Sequence, residues 1–291
     1  MKHLIFKAAA AVLSAAVCAA GFPVSANDVQ IQKITIEAEK NAVTTDTLKN
    51  GDFVMHGGMY FRDYTDISSL RTILMSDSPL TIENGGFAWV EGKEEQQLRL
   101  IEQYTTAMYT QHSELTGLSN IALFYTANSE LGEIAKLRDP ESPLIEFDIR
   151  VPQNTPAGDY SCYISQKVQI NAVGQTEYDF ICISRKQSLN VGTDVELVPL
   201  VFSVYTRGDV NCSGEVEALD AQRALAYYLE NSIMNGEFSR EELENMLGTK
   251  HTQAALYAMD INGNGTVEAS DAQAILKYYL DGILENPQTW E

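Results

Sequence analysis

A duplicated segment decides the fold of the carboxyl-terminal part of the chain. The first copy reads DVNCSGEVEALD at residues 209–220, and the second reads DINGNGTVEASD at residues 260–271. Each copy runs into an amphipathic stretch, DAQRALAYYL at 220–229 and DAQAILKYYL at 271–280, and these stretches are identical at seven of ten positions. Because apolar residues recur in both at helical spacing, we predict a loop followed by a helix, twice.

The oxygen-bearing residues of both loops follow the spacing of the twelve-residue EF-hand loop. Calcium is a hard ion that takes about six to eight oxygen ligands, and a short loop supplies them only if it bends sharply. Gly214 and Gly265 occupy the sixth position, where glycine permits the bend. The pattern therefore predicts two calcium ions as cofactors.

The predicted ligands occupy positions one, three, five, seven, nine and twelve of each loop. Position seven contributes its main-chain carbonyl, position nine binds directly or through water, and the others contribute side-chain oxygens. These residues are Asp209, Asn211, Ser213, Glu215, Glu217 and Asp220 in the first loop, and Asp260, Asn262, Asn264, Thr266, Glu268 and Asp271 in the second. The first loop is the weaker match, because Ser213 is a neutral hydroxyl ligand and Cys212 stands where glycine would ease the turn.

A further helix is predicted between the repeats, since Ser239 and Glu242 form a capping box and Gly248 ends the pattern. Residues 202–205, ahead of the first loop, have the pattern of a strand, so each unit is read as a loop followed by a helix rather than a complete EF-hand. This order at the carboxyl end resembles the dockerin family of cellulosome-type assemblies over residues 206–291. The resemblance implies a small all-α domain that folds with calcium and docks onto a cohesin of a scaffoldin.

The dockerin resemblance also implies which residues contact the partner. In that family, loop positions ten and eleven and the following helix face the cohesin. The corresponding residues are Ala218, Leu219 and Ala226 in the first repeat, and Ala269, Ser270 and Lys277 in the second. Because the two sets differ, we expect one docking orientation to dominate. The family further implies an aromatic clasp between the ends of the module, for which Tyr205 with Trp290 or Pro287 is the candidate.

Residues 1–26 have the features of a secretory signal peptide. Lys2 and Lys7 flank the start, an apolar run extends to about Gly21, and VSA at 24–26 is a small-x-small cleavage site. A retained membrane anchor is the less favoured alternative, because the apolar run is short. We expect a secreted protein that is extracellular or held at a cell surface by non-covalent docking. The formal net charge of −20, without a basic stripe, argues against a nucleic-acid partner.

Residues 27–205 have mostly the pattern of β-strands. Turn signals such as the NGG at 84–86 and the TPAGD at 155–159 separate seven to nine short runs, which predicts an all-β sandwich. The runs include residues 34–38, 53–64, 70–75, 121–125, 144–151, 160–170, 178–184 and 195–204. One stretch, from about residue 94 to 109, has helical composition and is predicted to be an insertion.

Cys162 and Cys182 lie about equally far from a predicted turn at residues 171–174. In a hairpin they would face each other, so a cross-strand disulfide could form in an exported protein. Two unpaired cysteines remain the alternative, since a register shift of one residue would turn one of them to the other face.

The stretch PLIEFDIRVP at 143–152, followed by TPAGDY at 155–160, resembles the strand, turn and strand found late in cohesin modules. That resemblance implies a jelly-roll-like sandwich that receives a dockerin-bearing protein. The domain has no Gly-x-Ser-x-Gly, His-Glu-x-x-His or P-loop motif, so we expect no enzymatic activity. The sequence therefore favours an adaptor scaffoldin. A dockerin-borne carbohydrate-binding module or small polysaccharide-degrading enzyme is the alternative.

Overall fold

The computed structural model describes residues 32–62, 67–88, 106–113, 118–126, 141–170, 173–184, 187–233 and 237–290. The signal-peptide prediction for residues 1–26 lies outside these ranges. Within them, no helix has the length and apolar content needed to cross a membrane.

Two packed β-sheets occupy the first part of the described chain. The strands are β1 (Gln32–Ala38), β2 (Ala42–Thr44), β3 (Phe53–Phe61), β4 (Ile67–Ser76), β5 (Thr81–Phe87), β6 (Thr106–Ser113), β7 (Leu118–Thr126), β8 (Ile145–Val151), β9 (Gly158–Ile164), β10 (Val168–Ile170), β11 (Thr176–Tyr178), β12 (Ile181–Ser184), β13 (Gln187–Leu189), β14 (Val195–Val198) and β15 (Leu200–Tyr205). A short helix, α1 (Thr45–Leu48), follows β2.

The first sheet has the strand order β14-β1-β3-β8-β5. The second has the order β13-β12-β4-β9-β15-β2, and β7 pairs with β4 and carries β6 on its other edge. Alternate residues of β8 are buried, and Phe147 on β8 and Phe202 on β15 are among the largest fully buried side chains. This alternation places one face of each sheet in a shared apolar core, as expected of a β-sandwich. The predicted all-β sandwich is confirmed.

The prediction of a helical insertion is wrong for the part of the stretch that the structure describes. Residues 106–109 belong to β6, which pairs antiparallel with β7, so that Thr106 lies opposite Tyr125 and Tyr109 opposite Ala122. Thr106 and Tyr109 are residue types that are enriched in strands. The remainder of the stretch, residues 94–105, lies outside the described residues.

The cysteine pairing also differs from the predicted hairpin. The predicted hairpin is formed by β10 and β11. The strands that carry the cysteines, β9 and β12, do not pair with each other there; each pairs with a different part of β4. Cys162 lies opposite Ser76 and Cys182 opposite Leu70, six positions apart on β4, which is roughly 20 Å of strand. Both cysteines are buried free thiols, and burial raises the pKa of each to about 12. The disulfide prediction is therefore wrong, and the unpaired alternative holds.

The carboxyl-terminal part is helical. Its helices are α2 (Ala218–Tyr228), continued by a π-helical turn (Leu229–Ile233), α3 (Arg240–Leu247), α4 (Thr252–Met259) and α5 (Ala269–Ile283). They enclose a second apolar core whose fully buried members include Val210, Leu247, Met259 and Ile275. A β-sandwich followed by a small all-α region with two EF-hand-like loops is thus the architecture of the chain.

The linker between the two loops contains one helix more than predicted. The capping box is present, with Glu242 N–H donating to Ser239 Oγ, and Gly248 ends α3 in the left-handed conformation. An additional helix, α4, then leads directly into the second loop, so that loop has an entering helix and the loop-then-helix reading applies only to the first. The side chain of His251 at the N-cap position of α4 makes no cap hydrogen bond, which is why the sequence shows no start signal there.

Candidate calcium loops and docking surface

The first carboxylate of each loop is held by main-chain N–H groups of the loop itself. Asp209 Oδ1 accepts from Ser213 N (2.9 Å), and Oδ2 accepts from Gly214 N (2.8 Å). In the second loop, Asp260 Oδ1 accepts from Asn264 N (3.1 Å) and Oδ2 from Gly265 N (2.8 Å). These contacts wrap each loop around the carboxylate at position one.

The last carboxylate of each loop is buried and joins the loop to its following helix. Asp220 Oδ1 accepts from Val210 N (3.0 Å), while Oδ2 accepts from the N–H of Glu217, the N-cap residue of α2 (2.8 Å). Asp271 repeats the pattern with Ile261 N (3.1 Å) and with the N–H of the α5 N-cap residue (2.8 Å). Position twelve thus closes the loop and caps the helix at once.

The amides at position three complete the same design in both loops. Asn211 Oδ1 accepts from Ser213 N (2.8 Å), and Asn262 Oδ1 accepts from Asn264 N (2.9 Å). Each amide oxygen therefore closes a local turn with the residue two positions further along the loop. The carboxylates of Glu217 and Glu268, at position nine, belong to exposed residues.

The buried carboxylates of the first loop are electrostatically unfavourable without a cation. Asp209 and Asp220 are 1% and 0% exposed, and burial raises the pKa of both. The negative charge of Asp209 raises the pKa of Asp220 further, although N–H donors oppose the shift. A divalent cation between them would offset both costs. The donor set therefore fits a hard cation that takes oxygen ligands.

Each loop brings together few strongly anionic ligands. Among the described residues, no group of three or more His, Cys, Asp and Glu side chains is arranged to hold a metal ion. Asp209 and Asp220 of the first loop, like Asp260 and Asp271 of the second, therefore depend on amide, hydroxyl and carbonyl oxygens to complete a coordination shell. Calcium accepts such neutral oxygens.

The two loops differ at positions four and five. Cys212 has a φ of +56°, whereas Gly263 occupies the same place with a φ of +71°. A residue with a Cβ is strained in this left-handed region by about 1–2 kcal/mol, and glycine is not. At position five, Ser213 Oγ donates to the Glu215 carbonyl (3.2 Å), the group expected at position seven. The first loop thus holds the less favourable backbone and the weaker side-chain ligand.

The residues that the dockerin resemblance assigns to the docking surface lie along α2 and α5. Leu219, Ser270 and Lys277 are exposed, while the three alanines are half-buried, namely Ala218, Ala226 and Ala269. Lys277 Nζ lies 2.9 Å from Asp281 Oδ2 one turn along α5, and this contact lowers the pKa of Asp281. The two repeats therefore present different chemistry at these positions.

Sequence reasoning missed a second set of exposed residues on the same helices. Leu225 on α2 and Leu229 in the π-helical turn that continues it are both 42% exposed, and their counterparts Leu276 and Leu280 on α5 are 41% and 44% exposed. These leucines are identical in the two repeats. The repetition of these leucines in both copies was the sequence feature that could have indicated a second set of surface residues. The helices therefore share a pair of leucines and differ around it.

The ends of the helical module are joined by an aromatic contact, although the pairing differs from the predicted clasp. Trp290 stacks on Tyr278, with ring centroids 4.0 Å apart and planes 4° apart. The Cη2 edge of its indole also approaches Gly208, just ahead of the first loop. Tyr205 instead stacks on Tyr257 of α4, with centroids 5.6 Å apart. The predicted contact of Tyr205 with Trp290 is therefore wrong.

Comparison with known protein families gives one match. Residues 207–281 match the family model described as the dockerin type I domain. This confirms the dockerin resemblance of the loops and helices. No curated protein matches the chain.

Several solved structures align with part of the chain at low identity. The seventh ScaB type I cohesin from Pseudobacteroides cellulosolvens is 12% identical to this chain. The alignment covers 60% of this chain and 93% of the cohesin chain, with a TM-score of 0.34. A chain of a type I cohesin–dockerin complex from Clostridium thermocellum is 11% identical over 59% of this chain and 99% of its own, with a TM-score of 0.37. The second type II cohesin of the adaptor scaffoldin ScaA from Acetivibrio cellulolyticus is 16% identical over 59% of this chain and 97% of its own, with a TM-score of 0.35.

Proposed function

We propose that this protein is an extracellular adaptor scaffoldin. Its β-sandwich would receive a dockerin-bearing protein, and its dockerin region would dock, with calcium bound, onto a cohesin of another scaffoldin. The observation that carries the proposal is the apolar surface of α2 and α5, in the segment that matches the dockerin type I domain. The protein would be secreted and would connect other proteins rather than catalyse.

The position of the helices supports docking by the whole chain. The β-sandwich contacts the module through α4, where Tyr257 stacks on Tyr205 of β15. Leu225, Leu229, Leu276 and Leu280 remain exposed with the sandwich in place. Exposed apolar residues that recur one turn apart on a helix, rather than singly, support an interaction surface, because a partner would remove them from water. A cohesin could therefore reach α2 and α5 without separation of the two parts of the chain.

Calcium would be held by the oxygens of both loops, from Asp209 to Asp220 and from Asp260 to Asp271. The bound ions would neutralise the negative charge of the clustered carboxylates. The loops are continuous with α2 and α5, since Asp220 and Asp271 cap those helices. Ion binding would therefore order the docking surface itself.

Docking can be tested with the full chain in calcium against panels of cohesins, dockerins and polysaccharides. Leu225→Arg combined with Leu276→Arg should abolish cohesin binding, because two charges would be buried in the interface. Both leucines are exposed, so the change should leave the fold intact. Asn245→Arg, on an exposed position of α3, is the matched control and should bind normally. Dockerin binding by the sandwich should survive all of these changes.

Two results would refute the proposal in different ways. If no cohesin binds in calcium, or if the double arginine variant binds as well as the parent, the docking surface is misassigned. If no dockerin binds while a polysaccharide is bound or cleaved, the sandwich is an effector module and the adaptor role fails.

Calcium dependence gives a separate prediction. EDTA should unfold the helical module and abolish docking, and Asp260→Ala should have the same effect, because a loop without its ion leaves clustered carboxylates repelling each other. Circular dichroism and cohesin binding would measure both effects. Asp46→Ala is the control: it removes an exposed carboxylate of α1 that pairs with Lys49, and it should change neither the circular dichroism nor cohesin binding. Docking that persists unchanged in EDTA would contradict the calcium assignment.

A further inference from the structure

Helix α4 is capped by a residue of the β-sandwich. The first-turn N–H groups of Gln253 and Ala254 donate to Asp159 Oδ2 (3.0 Å) and Oδ1 (2.8 Å), respectively. These are the groups that an N-cap side chain accepts, whereas His251 at the N-cap position of α4 provides no such acceptor. Asp159, on β9, therefore performs the N-cap role from a distant part of the chain.

The contact is reciprocal and braced from both sides. Asp159 N–H donates to His251 Nδ1 (3.0 Å), and the imidazole packs over Gly158, where an added Cβ would lie 3.2 Å from His251 Cε1. Ser203 on β15 donates its hydroxyl to Asp159 Oδ1 (2.7 Å). The carboxylate is thus held in place by the sheet before it meets the helix. A fixed acceptor loses little side-chain entropy when it caps a helix.

The capped helix runs directly into the second loop. Asp260, the residue at position one of that loop, is the C-cap residue of α4, and its N–H donates to the Leu256 carbonyl (3.3 Å). Ala254 and Met259 are fully buried, so the eight-residue helix is packed along its length. A helix this short is marginal without tertiary contacts. Its order, and with it the position of Asp260, depends on how its start is held.

We infer that Asp159 is a positioning residue for the second calcium loop. Calcium binds the loop with full affinity only when α4 is ordered, so the apparent affinity is reduced by the fraction of chains in which it is ordered. The cap supplied by the sandwich raises that fraction. The first loop follows β15 rather than a helix, so no entering helix needs a cap there. The β-sandwich would thereby set the calcium affinity of the second loop.

The test is a calorimetric calcium titration of the full chain carrying Asp209→Asn, which weakens the first loop so that the isotherm reports the second. Adding Asp159→Ala should lower the second-loop affinity roughly fivefold, the change that corresponds to loss of a typical helix cap. Asp159→Asn keeps an Oδ1 acceptor for Ala254 N–H and should recover part of the loss. Ser203→Ala removes a hydrogen bond that holds the same carboxylate but keeps the cap itself, so it should lower the affinity less than Asp159→Ala does.

A second measurement needs no variant. Because coupling is reciprocal, calcium should slow hydrogen exchange at the amides of Gln253 and Ala254 in the unaltered chain. Unchanged exchange at these amides, unchanged affinity in Asp159→Ala, or an equal loss in Ser203→Ala would each overturn the inference. The inference rests on the proposed calcium sites, and a parent chain that binds no calcium would refute those sites first.

Discussion

The contact of Trp290 with Gly208 makes a prediction that can be tested by coupling two substitutions. The indole stacks on Tyr278 and turns its Cη2 edge to the backbone of Gly208, where an added Cβ would overlap with Cη2. Gly208→Ala should therefore displace the indole and release the end of the chain from the start of the helical module. Trp290→Ala should remove the same contact from the other side.

The two substitutions should be strongly non-additive. Gly208 has a φ of +83°, so alanine there costs about 1 kcal/mol in backbone strain alone. Loss of the stacked aromatic pair adds about 1 kcal/mol, and exposure of the half-buried indole adds about 1 kcal/mol more. Gly208→Ala should thus cost about 3 kcal/mol in the parent chain. In the Trp290→Ala background only the strain remains, so the coupling energy should be about 2 kcal/mol.

The assay is urea unfolding of the four chains in saturating calcium, followed by the circular dichroism of the helical module. The parent, both single variants and the double variant complete a double-mutant cycle. Trp290→Ala is the internal control, since it removes the partner of the overlap and keeps the strained backbone position. If Gly208→Ala costs the same in both backgrounds, the indole does not approach Gly208, and the clasp is formed in another way.

Three further predictions concern charge, packing and thiols. The calcium affinity of the first loop should fall as pH is lowered through the raised pKa of Asp220, because a protonated carboxyl group cannot hold the ion; calcium titrations at falling pH, with Asp220→Asn for comparison, would measure the loss. An affinity that does not change over this pH range would contradict the assignment of Asp220 as a ligand. Gly248→Ala should cost about 1 kcal/mol or more by thermal or urea unfolding, since the φ of +69° is left-handed and the new Cβ would meet Arg223; a neutral effect would argue against this helix end. Cys162 and Cys182 should resist alkylation in the native chain and react after unfolding, as mass spectrometry would show, and detection of a bond between them would refute the strand pairing.

The loops and the capping box could be read from the sequence because they are local. The residues that shape each loop lie within twelve positions, and the bend at Gly214 or Gly265 needs only a left-handed residue at a fixed place. The Ser239–Glu242 box spans three peptide bonds and formed as expected. Such features depend on short-range hydrogen bonds, which the order of residue types specifies directly.

The features that sequence reasoning missed depend on distant residues. Helix α4 has no start signal because its cap, Asp159, lies 95 positions before Ala254. Cys162 and Cys182 are symmetric about a turn, yet β4 separates their pairing positions by six residues. In each case a tertiary contact replaced the local pattern. Periodicity within one segment carries no information about such contacts.

The sequence by itself determined the two loops, the helices that follow them, the dockerin resemblance and the predominance of strands before residue 205. Tertiary structure decided which groups meet: Asp159 with α4, Trp290 with Tyr278 and Gly208, and the leucines of α2 and α5 with solvent. The physical reason is the distance along the chain between the residues that interact. Turns, caps and ion-binding loops are specified by neighbours along the chain, whereas packing of sheets and helices is specified by residues that approach only after folding.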